Sequence, residues 1–199
     1  EEIHQPRDEA GEQEMIFDLP TALEVNGREW DIDTDFRQVL RVLQAFEDPN
    51  LTDADKALVL VYNLFVDAEE IPGEDMQAAF DAALAFIDHG NEGDNRPHPR
   101  TMDWTQDAPL IFPAVNRAAG FEVRSVEYMH WWTFVGLFME IRDSVYSTVL
   151  QLRGKKAKGK KLEKEEKEFW SQNRGICELK TRYTDEELAE QERLNKLLG

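Results

Sequence analysis

Three consecutive stretches of the chain carry apolar residues every three or four positions, which is the spacing of one face of an α-helix. Thr34 and Thr52 precede the first two stretches and are suitable N-cap residues. Helix-breaking segments at residues 48–50 and 71–73 separate the stretches. The apolar positions are Phe36, Val39, Leu40, Leu43 and Phe46, then Leu58, Val59, Val61, Tyr62 and Phe65, then Met76, Phe80, Ala83, Leu84 and Ile87. This spacing predicts a mainly α fold, built as a compact multi-helix domain.

Two further helices are predicted in the middle of the chain. Asp107 is a suitable N-cap for the first, and Gly120 ends it. The second is expected to run from Ser125 to about Leu150, with apolar residues on more than one face. A helix that is apolar over much of its circumference is buried on several sides. We therefore expect this one to be the central helix.

A small β-hairpin is predicted before the helices. Residues 21–32 (TALEVNGREWDI) contain two short alternating runs on either side of Asn26-Gly27. Asn-Gly favours positive φ at both central positions, as a type I′ hairpin turn requires. Because an isolated hairpin is only marginally stable in water, this one must pack against the helices.

The composition divides the chain into three parts. Residues 1–14 contain almost no apolar side chains and are predicted to be a disordered acidic leader. Residues 15–152 form the helical domain with its hairpin. Residues 153–199 are predicted to be a charged, helical C-terminal extension. Within it, residues 153–168 hold eight Lys or Arg and read as an exposed linker that enters a charged helix near Leu162, and a last helix follows the capping box at Thr184.

The net charge of −18 is unevenly distributed, and the first two parts hold all of the negative excess. Residues 1–152 contain 10 Lys and Arg against 31 Asp and Glu, a net charge of −21, whereas residues 153–199 contain 13 against 10, a net charge of +3. An acidic body repels nucleic acid. It is either a solvated acidic surface or a surface that attracts a basic partner, and charge alone does not separate these two interpretations.

The sequence favours a reducing, cytoplasmic setting. No stretch reaches the roughly 18 consecutive apolar residues of a membrane-spanning helix, so no membrane contact is predicted. The first residues, Glu1-Glu2-Ile3-His4, do not resemble a signal peptide. A single cysteine, Cys177, excludes a disulfide framework within this sequence.

The sequence matches no known catalytic or metal-binding pattern. The histidines lack the i, i+4 spacing of a helical zinc pair, although weak metal binding by the loop that holds two of them is a less favoured alternative. Cys177 lies in a polar stretch without a nearby base and is interpreted as an unreactive thiol. The histidines are His4, His89, His98 and His130. We therefore predict no catalytic residue, no metal site and no cofactor, and interpret the chain as a binding protein.

The basic run at residues 153–168 partly matches a phosphate-binding loop and partly matches a nucleic-acid-binding segment. Gly154, Gly159 and Lys160 fit the frame of a phosphate-binding loop, but Lys161 occupies the position of the required Ser or Thr. The run has no interleaved aromatic residues, and four glutamates neutralise half of its charge. A nucleic-acid-binding regulator is therefore only the second alternative function, and a solvated linker is the preferred interpretation.

Residues 130–134 (His-Trp-Trp-Thr-Phe) are the most distinctive segment of the sequence. Trp131 and Trp132 are about 100° apart on a helix, so one narrow apolar stripe does not easily take both. If one lies in the core, the other meets a second element of the fold or a partner. Core packing is the favoured interpretation, a subunit interface is the second, and a haem or ligand site is a distant third.

Four segments of the sequence resemble a family of tailed-phage proteins, the gene-product-fifteen family. Residues 19–40 (LPTALEVNGREWDIDTDFRQVL) resemble the family's opening hairpin and first helix start. Residues 104–112 (WTQDAPLIF) are similar to its Trp-x-x-Asp motif, and residues 129–134 (MHWWTF) to its His-Trp-Trp-x-Phe signature. The charged C-terminal part is the fourth segment, and the likeness extends over roughly residues 16–175.

The resemblance implies a tail assembly chaperone in the host bacterial cytoplasm. Such a protein is thought to coat the long, helical tape measure protein while tail tube subunits polymerise around it. The implied partners are the tape measure protein and, secondarily, the tail tube protein, and we also expect self-association. The partner-binding candidates are Trp104, Asp107, His130, Trp131, Trp132 and Phe134. The first alternative function is a structural tail component that is retained in the virion.

Overall fold

The computed structural model describes residues 18–89 and 99–198, in which a two-stranded antiparallel sheet precedes nine α-helices. The elements are β1 (Ala22–Val25), β2 (Arg28–Asp31), α1 (Phe36–Phe46), α2 (Asp53–Leu64), α3 (Met76–Ile87), α4 (Ala108–Ala119), α5 (Trp131–Met139), α6 (Val145–Ala157), α7 (Lys164–Gln172), α8 (Arg174–Cys177) and α9 (Asp185–Leu198). The prediction of a mainly α fold with an N-terminal hairpin and a helical C-terminal extension is confirmed. The predicted leader at residues 1–14 lies outside the described residues, and none of the described helices is long and apolar enough to cross a membrane.

The hairpin forms as the Asn-Gly pair predicts. Asn26 and Gly27 have φ angles of 49° and 82°, and the strands pair with Val25 opposite Arg28. Val25 and Trp30 are buried, and β1 packs against α3. The guanidinium of Arg28 covers the Trp30 ring at 3.8 Å from its centroid. The helical body therefore supplies the packing that the hairpin needs.

The capping box predicted at Thr184 is present, and the predicted N-cap residue Thr52 also forms a capping box. The Thr52 hydroxyl accepts a hydrogen bond from the Asp55 N–H at 3.2 Å, and the Asp55 carboxylate accepts one from the Thr52 N–H at 3.0 Å. At the start of α9, Thr184 and Glu187 make the same reciprocal pair, at 3.1 and 2.8 Å. Both boxes satisfy N–H groups that the first turn of a helix leaves free.

The predicted N-cap of α1 is wrong by one residue. Asp35 is the cap, and its carboxylate accepts a hydrogen bond from the Arg37 N–H at 2.9 Å. Thr34 is buried, and its hydroxyl lies 2.5 Å from the hydroxyl of Tyr128. The Thr34 hydroxyl is therefore engaged by Tyr128, a residue distant in sequence, and does not cap α1.

The predicted long helix from Ser125 to Leu150 is also wrong, because two helices occupy this region. Residues 140–144 separate α5 from α6. Asp143 has a φ of 43°, outside the helical region, and the Ser144 hydroxyl caps α6 by accepting from the Ser147 N–H at 2.9 Å. Asp and Ser hydrogen-bond locally to the backbone and therefore favour such caps over helix interiors.

The first residues of the predicted long helix are not α-helical, because the residues just before Trp131 form backbone hydrogen bonds with the segment that leads into α1. The Phe36 N–H donates to the Met129 carbonyl at 3.0 Å, and the Trp131 N–H donates to the Thr34 carbonyl at 2.7 Å. This pairing holds residues before Trp131 extended, so α5 begins only at Trp131. No local pattern predicts it, since its partners lie almost a hundred residues apart.

Helix α6 continues beyond the predicted start of the charged linker. It ends at Ala157, so only residues 158–163 link it to α7. The charged helix expected near Leu162 is confirmed as α7. Gly154 lies within α6, and the partial phosphate-loop pattern is therefore not a loop there. Arg153 is buried inside the body. The division into domains stays a prediction.

Candidate functional site

An apolar groove lies on the surface between α1 and α4, with a volume of about 360 Å³. We call it the aromatic groove. Phe36 and Ile111 are buried and form its floor. The remaining lining residues are Arg37, Leu40, Arg41, Gln44, Trp104, Ala108, Phe112 and Arg124. Concave apolar surfaces with a few polar groups at the edge are the usual shape of a binding site.

Three arginines stand at the edge of the aromatic groove. The guanidinium of Arg37 lies 4.6 Å from the Phe36 ring centroid, and that of Arg124 lies 4.6 Å from the Phe112 ring centroid. Arg41 is exposed and donates to the Gln38 side chain at 2.6 Å. Cations over aromatic faces are held by the quadrupole of the ring. The edge of this groove therefore carries three guanidinium groups, although the chain is strongly acidic.

Carboxylates hold two of these arginines in place. Arg37 donates to Asp35 at 2.8 Å, and Arg124 donates to Glu122 at 2.7 Å. The hydrogen bond from Arg124 lowers the pKa of Glu122 from its ordinary value of 4.5 to about 2. The same hydrogen bond raises the pKa of Arg124. The pair consequently stays ionised at any pH near neutrality.

Trp104 closes one end of the aromatic groove. Its backbone N–H lies 3.2 Å from both carboxylate oxygens of Glu47, and its ring lies 5.3 Å from the ring of Phe138. Arg182 donates to Glu47 at 2.8 Å and to Asp103 at 2.8 Å. Burial raises the pKa of Glu47, and its hydrogen bond to Trp104 acts in the opposite direction. The segment before α9 therefore helps to fix the tryptophan.

Asp107 anchors the start of α4 in a different way from the one predicted. It precedes the helix, but its side chain makes no cap hydrogen bond. Its carboxylate is buried and accepts from both guanidinium ends of Arg153, at 2.7 and 2.9 Å. It also accepts from the Asp103 N–H at 2.9 Å. This paired arrangement satisfies a charge that would otherwise be costly to bury.

Trp131 and Trp132 both bind the end of α3. The indole N–H of Trp131 donates to the Ile87 carbonyl at 3.0 Å, and that of Trp132 donates to the Phe86 carbonyl at 2.8 Å. Carbonyls in the last turn of a helix lack intrahelical partners, so such donors stabilise it. Trp131 is buried and Trp132 is partly exposed. The core-packing interpretation of the aromatic segment therefore describes both residues.

His130 and Phe134 are buried and hold neighbouring elements of the fold in place. The Trp132 N–H donates to Nδ1 of His130 at 3.0 Å, which makes this ring the N-cap of α5. Nε2 then carries the proton and donates to the Pro20 carbonyl at 2.9 Å. Phe134 stacks on Phe36 with ring centroids 4.5 Å apart. Phe134 thus backs the floor of the aromatic groove.

The six predicted partner-binding residues separate into two groups. Asp107, His130, Trp131 and Phe134 are buried, so their side chains position the surface without forming it. Trp104 and Trp132 are partly exposed, and only Trp104 lines the aromatic groove. Partner binding by any of them stays a prediction.

Sequence reasoning missed the edge of the aromatic groove. The helical spacing places Phe36 and Leu40 among the apolar positions of the first helix and gives no role to their neighbours Arg37 and Arg41. A signal exists in retrospect, since both pairs have the i, i+4 spacing that places residues on one helical face. The sequence does not show, however, which part of that face the rest of the chain leaves uncovered.

The cysteine and the described histidines, which are the residue types most often found in reactive sites, are packed into the fold. Cys177 is buried, and burial raises the pKa of its thiol. Burial lowers the pKa of His89. Within residues 18–89 and 99–198, no cluster of three His, Cys, Asp or Glu side chains is suited to a metal ion. His4 and His98 lie outside the described residues. The absence of catalysis, metal and cofactor stays a prediction.

The basic run also has structural contacts. Lys155 pairs with Glu166, and the ammonium of Lys156 lies 4.0 Å from the Trp170 ring centroid. Both contacts join α6 to α7. These contacts engage two of the lysines that phosphate binding would need. They are consistent with nucleic-acid binding being only the second alternative function.

Comparison with known proteins identifies the family. The bacteriophage Gp15 protein family matches residues 15–179, a range that includes the hairpin and helices α1 to α8. No curated protein and no solved structure matches the chain. The matched range covers most of the 199 residues and agrees with the extent of the resemblance described above. The chain therefore belongs to the bacteriophage Gp15 protein family.

Proposed function

We propose that this protein is a phage tail assembly chaperone that binds a helical segment of the tape measure protein in the aromatic groove and performs no catalysis. One observation carries the proposal. The groove is an open apolar surface between two helices, with a tryptophan at one end and arginines along its edge. Membership in the phage family supports a role in phage biology, and the host bacterial cytoplasm is the location that we propose.

The dimensions of the aromatic groove suit a helical client. Its α1 wall runs from Phe36 to Gln44, which is about two helical turns or roughly 12 Å. An amphipathic helix buries its apolar face in such a groove through residues at positions i, i+3, i+4 and i+7. Trp104 provides a large, partly exposed ring of the kind that dominates binding energy at interfaces.

Charge at the groove edge adds selectivity. Arg37, Arg41 and Arg124 favour a client helix with Asp, Glu or polar residues beside its apolar stripe. The net charge of −18 favours solubility of the unloaded protein. Self-association of the chaperone along its long client, and contact with the tail tube protein, are parts of the same proposal.

The test is co-expression of the protein with overlapping fragments of the tape measure protein encoded beside it, followed by pull-down. We expect a helical fragment to be retained. Trp104→Ala should weaken its binding about tenfold or more, because a large ring leaves the interface. Trp170→Ala is the matched control, since Trp170 is also partly exposed but lies on α7, where its ring contacts Lys156 of α6.

Mass spectrometry of purified virions decides between the proposal and its first alternative. A chaperone is absent from mature particles. If no fragment is retained and the protein is found in virions, it is a structural tail component and the proposal is wrong.

A further inference from the structure

A second apolar groove lies between α2 and α3, with a volume of about 530 Å³. We call it the acidic groove. Helix α2 contributes an apolar wall and α3 contributes the opposite one. The lining residues are Asp53, Ala54, Ala57, Leu58, Val61, Met76, Gln77 and Phe80. None of them lines the aromatic groove, so the two surfaces are separate.

Large apolar side chains project from the acidic groove and its border. Leu58 is 48% exposed, and Tyr62, one turn further along α2, is 51% exposed. Met76 and Phe80 on α3 are only partly covered. The i, i+4 spacing places Leu58 and Tyr62 on one face. A contiguous exposed apolar surface of this kind indicates an interaction site.

The segment of the chain that carries this surface has a strongly negative net charge. From Asp53 to Ile87 the chain contains eight Asp or Glu and a single lysine, Lys56, a net charge of −7. Asp53 lines the acidic groove directly, and Asp81 receives a hydrogen bond from the lining residue Gln77 at 3.0 Å. An apolar surface bordered by acidic residues is complementary to an apolar face bordered by basic ones.

We propose that the acidic groove docks an amphipathic helix of another protein, with its apolar face on Leu58, Tyr62 and Phe80 and with Lys or Arg along its flanks. This site is independent of the aromatic groove and of the function proposed for it. Together the two grooves let one chain hold two helical segments, and linked segments then bind more tightly than either one alone.

Charge argues against a second copy of this chain as the occupant. Two acidic grooves facing each other would bring two segments of net charge −7 together, and like charges across an interface are strongly unfavourable. Helix α9 is a poor occupant for the same reason, since Asp185–Leu198 contains five acidic residues and two basic ones. Nucleic acid is repelled by the same field.

The experiment measures binding of synthetic peptides to the full-length protein by fluorescence anisotropy. The probe is a labelled peptide of roughly 18 residues, long enough to form a helix, with Leu at i, i+3, i+4 and i+7 and Lys elsewhere. A second peptide has the same composition with its leucines scattered around the helix. A third replaces Lys by Glu. We expect the first peptide to bind at least about tenfold more tightly than either control, because only it matches both the apolar surface and the charge.

The double variant Leu58→Gln/Tyr62→Gln should weaken binding of the first peptide about tenfold or more. Both side chains are about half exposed, so the variant should retain the circular dichroism spectrum of the parent. Trp104→Ala should leave this binding unchanged, and that result separates this site from the aromatic groove.

Three results would overturn the inference. The first is equal binding of the amphipathic and scattered peptides, which indicates charge attraction alone. The second is unchanged affinity in the double variant. The third is a dimer in light scattering that the double variant converts to a monomer, which would make the acidic groove a contact between copies of this chain.

Discussion

The aromatic groove and the acidic groove both have apolar floors, but arginines stand at the edge of the first and acidic residues at the edge of the second. Arginines line the first, and a segment of net charge −7 holds the second. An apolar floor attracts any amphipathic helix, so the edge charge selects among such helices. The comparison teaches that a net charge of −18 does not describe the binding preference of every surface on the molecule.

The two grooves also differ in what holds their walls. The acidic groove depends on local features, such as the capping box of Thr52 and Asp55 at the start of α2. The aromatic groove depends on distant ones, because α4 is anchored through Asp107 to Arg153 on α6. A wall held by a buried, long-range ion pair is the more sensitive to a single substitution.

The largest expected effect comes from Asp107→Ala. Removing this carboxylate leaves the buried Arg153 guanidinium without its charge partner, which should lower the free energy of unfolding by about 3–5 kcal/mol. Urea denaturation measures the loss. Glu178→Ala is the matched control, because its partner Arg174 is largely exposed and the loss of stability there should be far smaller. Equal losses in the two variants would contradict the importance of the buried pair.

Replacement of each indole tests how α5 connects the two grooves. Trp131→Phe removes the donor to the Ile87 carbonyl and should cost about 1–3 kcal/mol of unfolding free energy. Trp132→Phe should cost less than about 1 kcal/mol, because the Phe86 carbonyl also accepts from the His89 N–H and Trp132 is partly exposed. Thermal or urea unfolding compares the variants. A larger loss in Trp132→Phe would contradict the expectation that the buried donor, Trp131, contributes more to stability.

The parts of the fold that the sequence predicted correctly are those determined by a few neighbouring residues. Asn26 and Gly27 favour the backbone angles of the hairpin turn by themselves, and Thr52 finds its capping partner three residues later. The interruption at residues 140–144 was missed. Helical spacing continues on both sides of it, and the pairing of residues 34–36 with 129–131 that fixes the start of α5 is a long-range contact.

The candidate site was only partly predictable for a related reason. The aromatic residues at 130–134 stand out in the sequence, but aromatic character identifies core and interface residues alike. The structure places Trp131 and Phe134 inside and leaves Trp104 at the surface. Which face of α1 stays uncovered, and hence that Arg37 and Arg41 border a groove, depends on where α4 packs.

Ionic strength should sharpen the comparison between the grooves. Raising the salt concentration shortens the distance over which exposed charges attract each other. The basic peptide should therefore lose affinity for the acidic groove several-fold between low and physiological salt. Binding of an acidic amphipathic peptide to the aromatic groove should weaken less, because Arg37 and Arg124 are already paired with carboxylates. Anisotropy titrations at two salt concentrations measure both slopes. A steeper slope at the aromatic groove would contradict the assigned edge charges.

The smallest expected effect concerns pH and the Arg124 edge of the aromatic groove. The Arg124 hydrogen bond lowers the pKa of Glu122 to about 2 in the folded protein, compared with an ordinary value of 4.5. A lowered folded-state pKa stabilises the fold above the unfolded value and loses that stabilisation as pH falls through the folded value. The advantage of the parent over Glu122→Gln in urea midpoint should therefore be constant above pH 4.5 and should decline between pH 4.5 and about 2.

Glu165→Gln serves as the control for the pH series, because Glu165 is exposed and lies on α7, away from the aromatic groove. Its urea midpoint should follow that of the parent throughout. A difference between parent and Glu122→Gln that had already disappeared at pH 4.5 would show that Arg124 does not hold Glu122 ionised. The arginine over Phe112 would then lack the fixed partner that keeps this side of the aromatic groove in place, and charge selection there would depend on Arg37 and Arg41 alone.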